Sequence, residues 1–246
     1  MIAGIKVALV GLSLAYVLPT YSILRRMADG RDDLALSAMK VTGSAAVSPA
    51  SAREVAGLLG VDWQSGELML TFTAAMRLPG RCRLELASTE STRTLVAVSS
   101  NGKRRSEGGE LPALQVAVDE ICALLAFRGA AEGESRAAVE RHLAAVKVNS
   151  KLTSLGRFRG TVAYVLGDTA EGSPQLWIFK DHFNPARVRF ADDKQVGWDV
   201  HFFDYSSQAT GQAFPRQVLV NKGAEPVLRL TTLKGDLKPK LDDALF

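Results

Sequence analysis

Residues 175–205 read QLWIFKDHFNPARVRFADDKQVGWDVHFFDY, and this stretch decides the fold. Apolar and polar side chains alternate with a period of two through Gln175–Lys180, Ala186–Ala191 and Val196–Tyr205. A helix needs apolar positions three and four apart, so the pattern predicts strands with one face on a core. The same alternation occupies Phe158–Leu166 before this stretch, and Pro215–Val220 and Val227–Leu233 after it. Short polar turns punctuate the run at Gly167–Pro174, Ala191–Gln195 and Asn221–Pro226. Successive strands joined by short turns make an antiparallel meander, because parallel strands need long crossovers.

Toward the N-terminus the period changes. Leu114, Val118, Ile121, Cys122 and Leu125 recur at helical spacing, and Gly129 stands where such a helix stops. A second helix is predicted over Ser135–Val146, with Val139, Leu143 and Val146 on one side. Both are amphipathic and need an apolar surface to lie on. Earlier still, alternation returns. Met39, Val41, Ala45 and Val47 mark a first strand, and Leu68, Leu70, Phe72, Ala74 and Met76 share one face of the next. Leu78-Pro79-Gly80-Arg81 is a turn, after which Cys82, Leu84 and Leu86 continue as a strand. Leu95–Ser99 ends at Asn101-Gly102, a strong hairpin signal, so Lys103-Arg104-Arg105 reads as a hairpin tip in water. Short helices are predicted at Ser22–Met27, opened by a serine cap, and at Ser51–Leu59.

About ten strands result, and a sheet of that length curls. The predicted fold class is therefore mainly β with helices (α+β): a curled, incomplete antiparallel β-barrel with helices covering its concave, apolar face. With no internal repeat and no low-complexity linker, residues 23–246 read as a single domain. Residues 1–22 read as a signal peptide or an N-terminal anchor. Lys6 precedes an apolar run, Val7–Leu18, which suits a signal segment and is short for a membrane span. Ser13 with Ala15, or Thr20 with Ser22, could flag cleavage, while Arg25 and Arg26 favour retention as an anchor. A lipid-modified N-terminus is excluded, since the first cysteine is Cys82.

Composition narrows the function. Hydrophobic residues make up 47% of the 246 and charged ones 23%, enough to build a core and too apolar for disorder. The net charge of +4 is not gathered into a long basic run, and no aromatics interleave with Lys103–Arg105, so nucleic acid is a poor partner. The three histidines, His142, His182 and His201, lack the His-x-x-x-His spacing of a zinc site, and neither Gly-x-Ser-x-Gly nor a phosphate-binding glycine loop occurs. His201 alternates with Val200 and Phe202 and is expected on the sheet's outer face. No metal, cofactor or catalysis is predicted. Cys82 and Cys122 are too far apart in sequence for a redox Cys-x-x-Cys motif. They either pair as a disulfide tying helix to sheet, as an exported protein allows, or stay as two buried thiols.

A curled sheet plugged by amphipathic helices can hold an apolar cavity between the two layers, or it can be a plain packed core. Trp177, Phe179, Phe190, Trp198 and Phe202 fit either reading.

The C-terminal half resembles the bacterial outer-membrane lipoprotein-sorting proteins of the LolA type. The resemblance rests on Gln175-Leu176-Trp177-Ile178-Phe179, Phe183-Asn184-Pro185-Ala186-Arg187-Val188, Phe203-Asp204-Tyr205, Phe214-Pro215 and the ending Leu241-Asp242-Asp243-Ala244-Leu245-Phe246. Leu237-Lys238-Pro239-Lys240 is more basic than that family's pattern, and the N-terminal third matches it poorly. No residue here is matched to the family's lid-locking arginine. The resemblance implies a LolA/LolB-like incomplete barrel lidded by helices, in a periplasmic monomer. It implies a carrier that binds the acyl chains of lipoproteins for sorting to the outer membrane. Its partners would be acylated lipoproteins, an inner-membrane lipoprotein-release transporter and an outer-membrane acceptor. The alternative is a regulatory protein on the same fold that senses lipid or envelope state. The implied cavity lining is Leu70, Phe72, Leu84, Leu86, Val162, Tyr164, Trp177, Phe179, Phe190, Trp198, Phe202 and Val218, under a lid helix bearing Leu114, Val118, Ile121 and Leu125.

Overall fold

In the computed structural model, which describes residues 17–129, 131 and 133–246, strands and helices follow one another in the expected order. The expected signal or anchor segment falls mostly outside these residues. The chain forms α1 (Thr20–Asp32), β1 (Ala38–Val47), α2 (Pro49–Leu59), β2 (Leu68–Arg77), β3 (Arg81–Ala87), β4 (Thr94–Ser100) and β5 (Lys103–Glu107). Two helices follow, α3 (Pro112–Leu125) and α4 (Glu134–Ala145). Then come β6 (Thr153–Phe158), β7 (Thr161–Gly167), β8 (Gln175–Phe179), β9 (Pro185–Ala191), β10 (Gly197–Phe203), β11 (Gln217–Lys222) and β12 (Glu225–Asp236).

All twelve strands join one antiparallel sheet in the order β5-β4-β3-β2-β1-β12-β11-β10-β9-β8-β7-β6. Its two edges, β5 and β6, are consecutive in the chain and are linked through α3 and α4. The expected α+β class, an antiparallel sheet that does not close, is what the structure shows.

Two strands exceed the expected ten. Phe158–Leu166 is not one strand but the β6–β7 hairpin, closed by Arg159 (φ 50°) and Gly160 (φ 86°). Both turn residues have positive φ, as a tight two-residue hairpin requires; Gly160 reaches this freely and Arg159 does not. The other addition is β5. Asn101 and Gly102 make the turn as expected, but Lys103-Arg104-Arg105 continue as an exposed edge strand on β4. A row of charges on such an edge discourages pairing with another chain. Helix α1 is also longer than its serine cap suggested: it starts at Thr20, whose hydroxyl hydrogen-bonds the Ser150 carbonyl (2.6 Å).

The pairing register shows which side chains share a face. Cys82 opposes Met76, which opposes Met39; Leu84 opposes Ala74, and Ala45 opposes Leu230. Leu230 opposes Val218, Val218 opposes Phe202, Val200 opposes Val188, Val188 opposes Leu176, and Leu176 opposes Leu166. This one face carries the main core and is covered by α3, which lies over β3, β4, β10, β11 and β12. Helix α4 packs on α1 and α3.

At Gly43 the main chain of β12 comes so close that a Cβ would lie 2.0 Å from the Thr231 carbonyl oxygen. The β1–β12 register shifts at this point, so only glycine admits the bulge. Among the described residues no helix is long and apolar enough to cross a membrane.

Candidate functional site

The covered face is assembled from the residues the alternation pointed to, with two exceptions. Leu70, Phe72, Leu84, Leu86, Tyr164, Trp198, Phe202 and Val218 are buried on it, with Val162 and Phe190 half-buried at its margins. From the opposite layer, Leu114, Val118, Ile121 and Leu125 of α3 are buried against them. Trp177 and Phe179 do not belong to this set. In β8 they alternate with Leu176 and Ile178, whose side chains enter the core, so they stand on the reverse face. Each strand can send only one of its two rows inward, and aromatic size does not decide which row.

The buried residues of sheet and helices form one contiguous packed cluster. The same side chains that would line a cavity here touch each other instead. A cleft of about 1020 Å³ opens elsewhere, beside α3 and α4 at the rim of the sheet, and of the expected lining only Phe190 reaches it.

One covalent and two polar ties fasten the helices to the sheet, to neighbouring loops and to each other. First, Cys82 and Cys122 are disulfide-bonded, with Cα atoms 5.7 Å apart. Second, Arg31 of α1 is buried and spreads its guanidinium over main-chain carbonyls. Nη1 donates to Ala213 (2.8 Å) and Gln212 (3.3 Å), and Nη2 donates to the Leu125 carbonyl at the end of α3. Burial lowers its pKa to about 10, which leaves it charged at neutral pH. Nearby, the buried Tyr205 hydroxyl donates to the Pro185 carbonyl (2.9 Å), and burial pushes its pKa up. Third, Glu120 of α3, only 2% exposed, lies 2.8 Å from His142 Nε2 of α4. Burial opposes charging His142, but the Glu120 carboxylate beside it prevails and holds its pKa above the ordinary range. Next to this pair, burial raises Asp119 despite Arg104 (2.7 Å) and the Gln115 amide (3.0 Å).

Arg31 and Glu120 are not singled out by the sequence motifs, though their spacing marks them. Leu24, Met27 and Arg31 lie on one stripe of α1, and Ala117, Glu120 and Leu124 on one stripe of α3. A charged residue within a buried stripe is the available signal.

The reverse face carries aromatic contacts of its own. Phe158 packs on Trp177 (6.5 Å between ring centroids), on Phe179 (6.1 Å) and edge-on to His201 (5.1 Å). Contact between residues of β6 and β10 across three intervening strands requires the sheet to bend around this face too, as a strongly twisted sheet does along one diagonal. Arg187 grips Asp199 with two hydrogen bonds (2.7 and 2.6 Å), and His201 Nε2 lies 3.0 Å from the same carboxylate. Burial works against Asp199 ionising, but His201 and Arg187 outweigh it and hold its pKa below the usual carboxylate range. His201 thus stands on the outer face as expected, roofed by Phe158.

The molecule is an open antiparallel sheet whose apolar face is lidded by helices. It is similar to the crystal structure of a LolA superfamily protein from Nitrosomonas europaea, at 8% identity over 93% of this chain and 97% of that one (TM-score 0.49). It is also similar to a domain described as outer membrane lipoprotein-sorting from Vibrio parahaemolyticus, at 12% identity over 89% and 94% of the two chains (TM-score 0.48). A third similar structure is MucB, at 12% identity over 92% of this chain and 61% of that one (TM-score 0.33). By sequence, no family model and no curated protein matches.

Proposed function

We propose that this chain is a periplasmic carrier that shelters the acyl chains of lipoproteins on their way to the outer membrane. One observation carries the reading. The apolar face of a twelve-stranded sheet is covered by helices that form a layer of their own, pinned to the sheet by a disulfide and to neighbouring loops and helices by polar side chains. Such a cover can part from the sheet while every strand keeps its ladder. The packed interior is then the closed, empty form, and cargo takes the place of the helix side chains. Each buried methylene contributes about 0.8 kcal/mol, so one acyl chain offsets a substantial opening cost. The carrier acts as a monomer without cofactor or catalysis. It takes lipoproteins from an inner-membrane release transporter and gives them up to an outer-membrane acceptor. Export depends on residues 1–22.

The test is direct titration of the purified protein with a fluorescent palmitoyl probe, paired with lipid extraction of protein taken from the periplasm. Saturable binding of about one probe per chain, reversed by an acylated lipoprotein, is expected. No binding to either the oxidised or the reduced protein would remove the carrier reading.

The filled interior favours a second reading on the same fold, a regulator that senses lipid or envelope state and passes it to one membrane partner. Pull-downs separate the two: a carrier captures many acylated proteins, a regulator a single dominant one.

A further inference from the structure

Helix α4 is weakly seated. Of its twelve residues only Ser135, Val139 and Leu143 are buried. Ser135 donates to Asp32 Oδ1 of α1 (2.8 Å) and accepts from the Gly129 amide (2.6 Å). What joins α4 to α3 by a polar contact is His142 on Glu120. Glu120 has no other hydrogen-bond partner among the described residues, and it sits at 2% exposure on the buried side of α3. A carboxylate in that position needs a compensating positive charge, because an isolated buried ion is costly.

We propose that Glu120 and His142 form a proton-operated latch that holds α4 closed against α1 and α3 and lets it swing away when His142 loses its proton. The sign follows from the direction of the shift. His142's pKa is raised above its ordinary 6.5 by folding, so the contribution of the pair is complete below that pH. It is lost as the pH rises through the higher folded value. Neutral imidazole still donates one hydrogen bond, but the charge on Glu120 is then unmatched.

Of the other charged groups around the pair, most add negative charge or are engaged elsewhere. On α3, Asp119 adds further negative charge and is already engaged by Arg104, which comes from the β4–β5 hairpin. Past the end of α3, Arg128 is turned to the Leu36 carbonyl (2.8 Å). Asp192 and Asp193 reach the same cleft from the β9–β10 turn and add negative charge. From α4 itself, Glu134 accepts from the Ala131 amide (3.2 Å), Arg136 is paired with Glu140, and Arg141 lines the cleft. From α1, Asp32 is bonded to Ser135 and Asp29 lies beside Arg25 (3.9 Å). Opening α4 would expose Val139 and Leu143 and the α1 surface on which α4 packs. This latch does not depend on what the protein carries.

Hydrogen–deuterium exchange on the full chain, corrected for intrinsic rates, reads the latch. Between about pH 6 and pH 9, protection across residues 134–146 is expected to fall up to about tenfold for each pH unit by which the pKa is raised. Protection of β10 and β11 should stay constant. His142→Gln and Glu120→Gln should both give a flat profile. An α4 that is equally protected throughout in the unaltered protein would overturn the latch, and so would an undiminished fall in His142→Gln. Should either variant fail to fold, an NMR titration of the unaltered protein decides. The α4 amide shifts must follow the His142 ring with one midpoint above 6.5, and movement of the ring without them rejects the proposal.

Discussion

Arg31 shows what one buried charge does in this molecule. Its guanidinium reaches three carbonyls in two segments far apart in the chain, the adjacent Gln212 and Ala213 on one side and Leu125 on the other. The planar fork suits this task, because its donors point outward in fixed directions. Replacing a buried ion with an apolar residue is harmless only when no partner is left behind, and here carbonyls would be left unpaired. Arg31→Met, which keeps much of the volume, is expected to lower unfolding stability by about 2–4 kcal/mol in urea titrations. Arg31→Lys should recover only part, since one ammonium cannot serve both sides of the fork. A Met variant as stable as the parent would show that these hydrogen bonds tie nothing down. In the sequence, Arg31 was hidden by its charge. Its spacing of four from Met27 and seven from Leu24 is visible, but the predicted helix stops at Met27, before reaching it.

At the scale of elements, the disulfide is the one covalent tie between α3 and β3, added to the apolar packing and the polar contacts of that helix. Forty residues separate the two cysteines, so the chain-entropy model assigns the bond about 4 kcal/mol. Cys82→Ser with Cys122→Ser should lower the urea midpoint accordingly without changing the strand content seen by circular dichroism. If reductant leaves the midpoint of the parent protein unmoved, α3 does not need this tether. Alternation and helical spacing made β1–β4, β8–β12, α3 and α4 legible from the chain. Two kinds of feature escaped. The β6–β7 turn was missed because Arg159-Gly160 lacks the asparagine that usually marks such a turn. Trp177 and Phe179 were assigned to the wrong face because a strand rich in apolar residues in both rows does not announce which row is buried.

For the whole molecule, openness of the sheet was legible and fullness of its interior was not. A strand count predicts curling, but a lined cavity and a packed core use the same residues, and only their mutual distances distinguish them. The strand order has a further consequence, which concerns time. Each strand within β1–β5 and within β6–β12 pairs with its neighbour in the chain, mostly through short loops, the longest connection being the one that carries α2 between β1 and β2. Among the described strands only β1 and β12 must find each other from opposite ends. Local pairings carry a small entropic cost and form early, whereas a pairing that encloses nearly the whole chain waits for both halves. Pulsed hydrogen exchange during refolding is expected to show amides of β3, β4, β8 and β9 protected before those that β1 and β12 share. Simultaneous protection of all of them would mean that the sheet assembles in one step. With the β1–β12 seam closing last, the bulge at Gly43 lies where the two halves meet, and a side chain there would slow completion of the sheet more than its start.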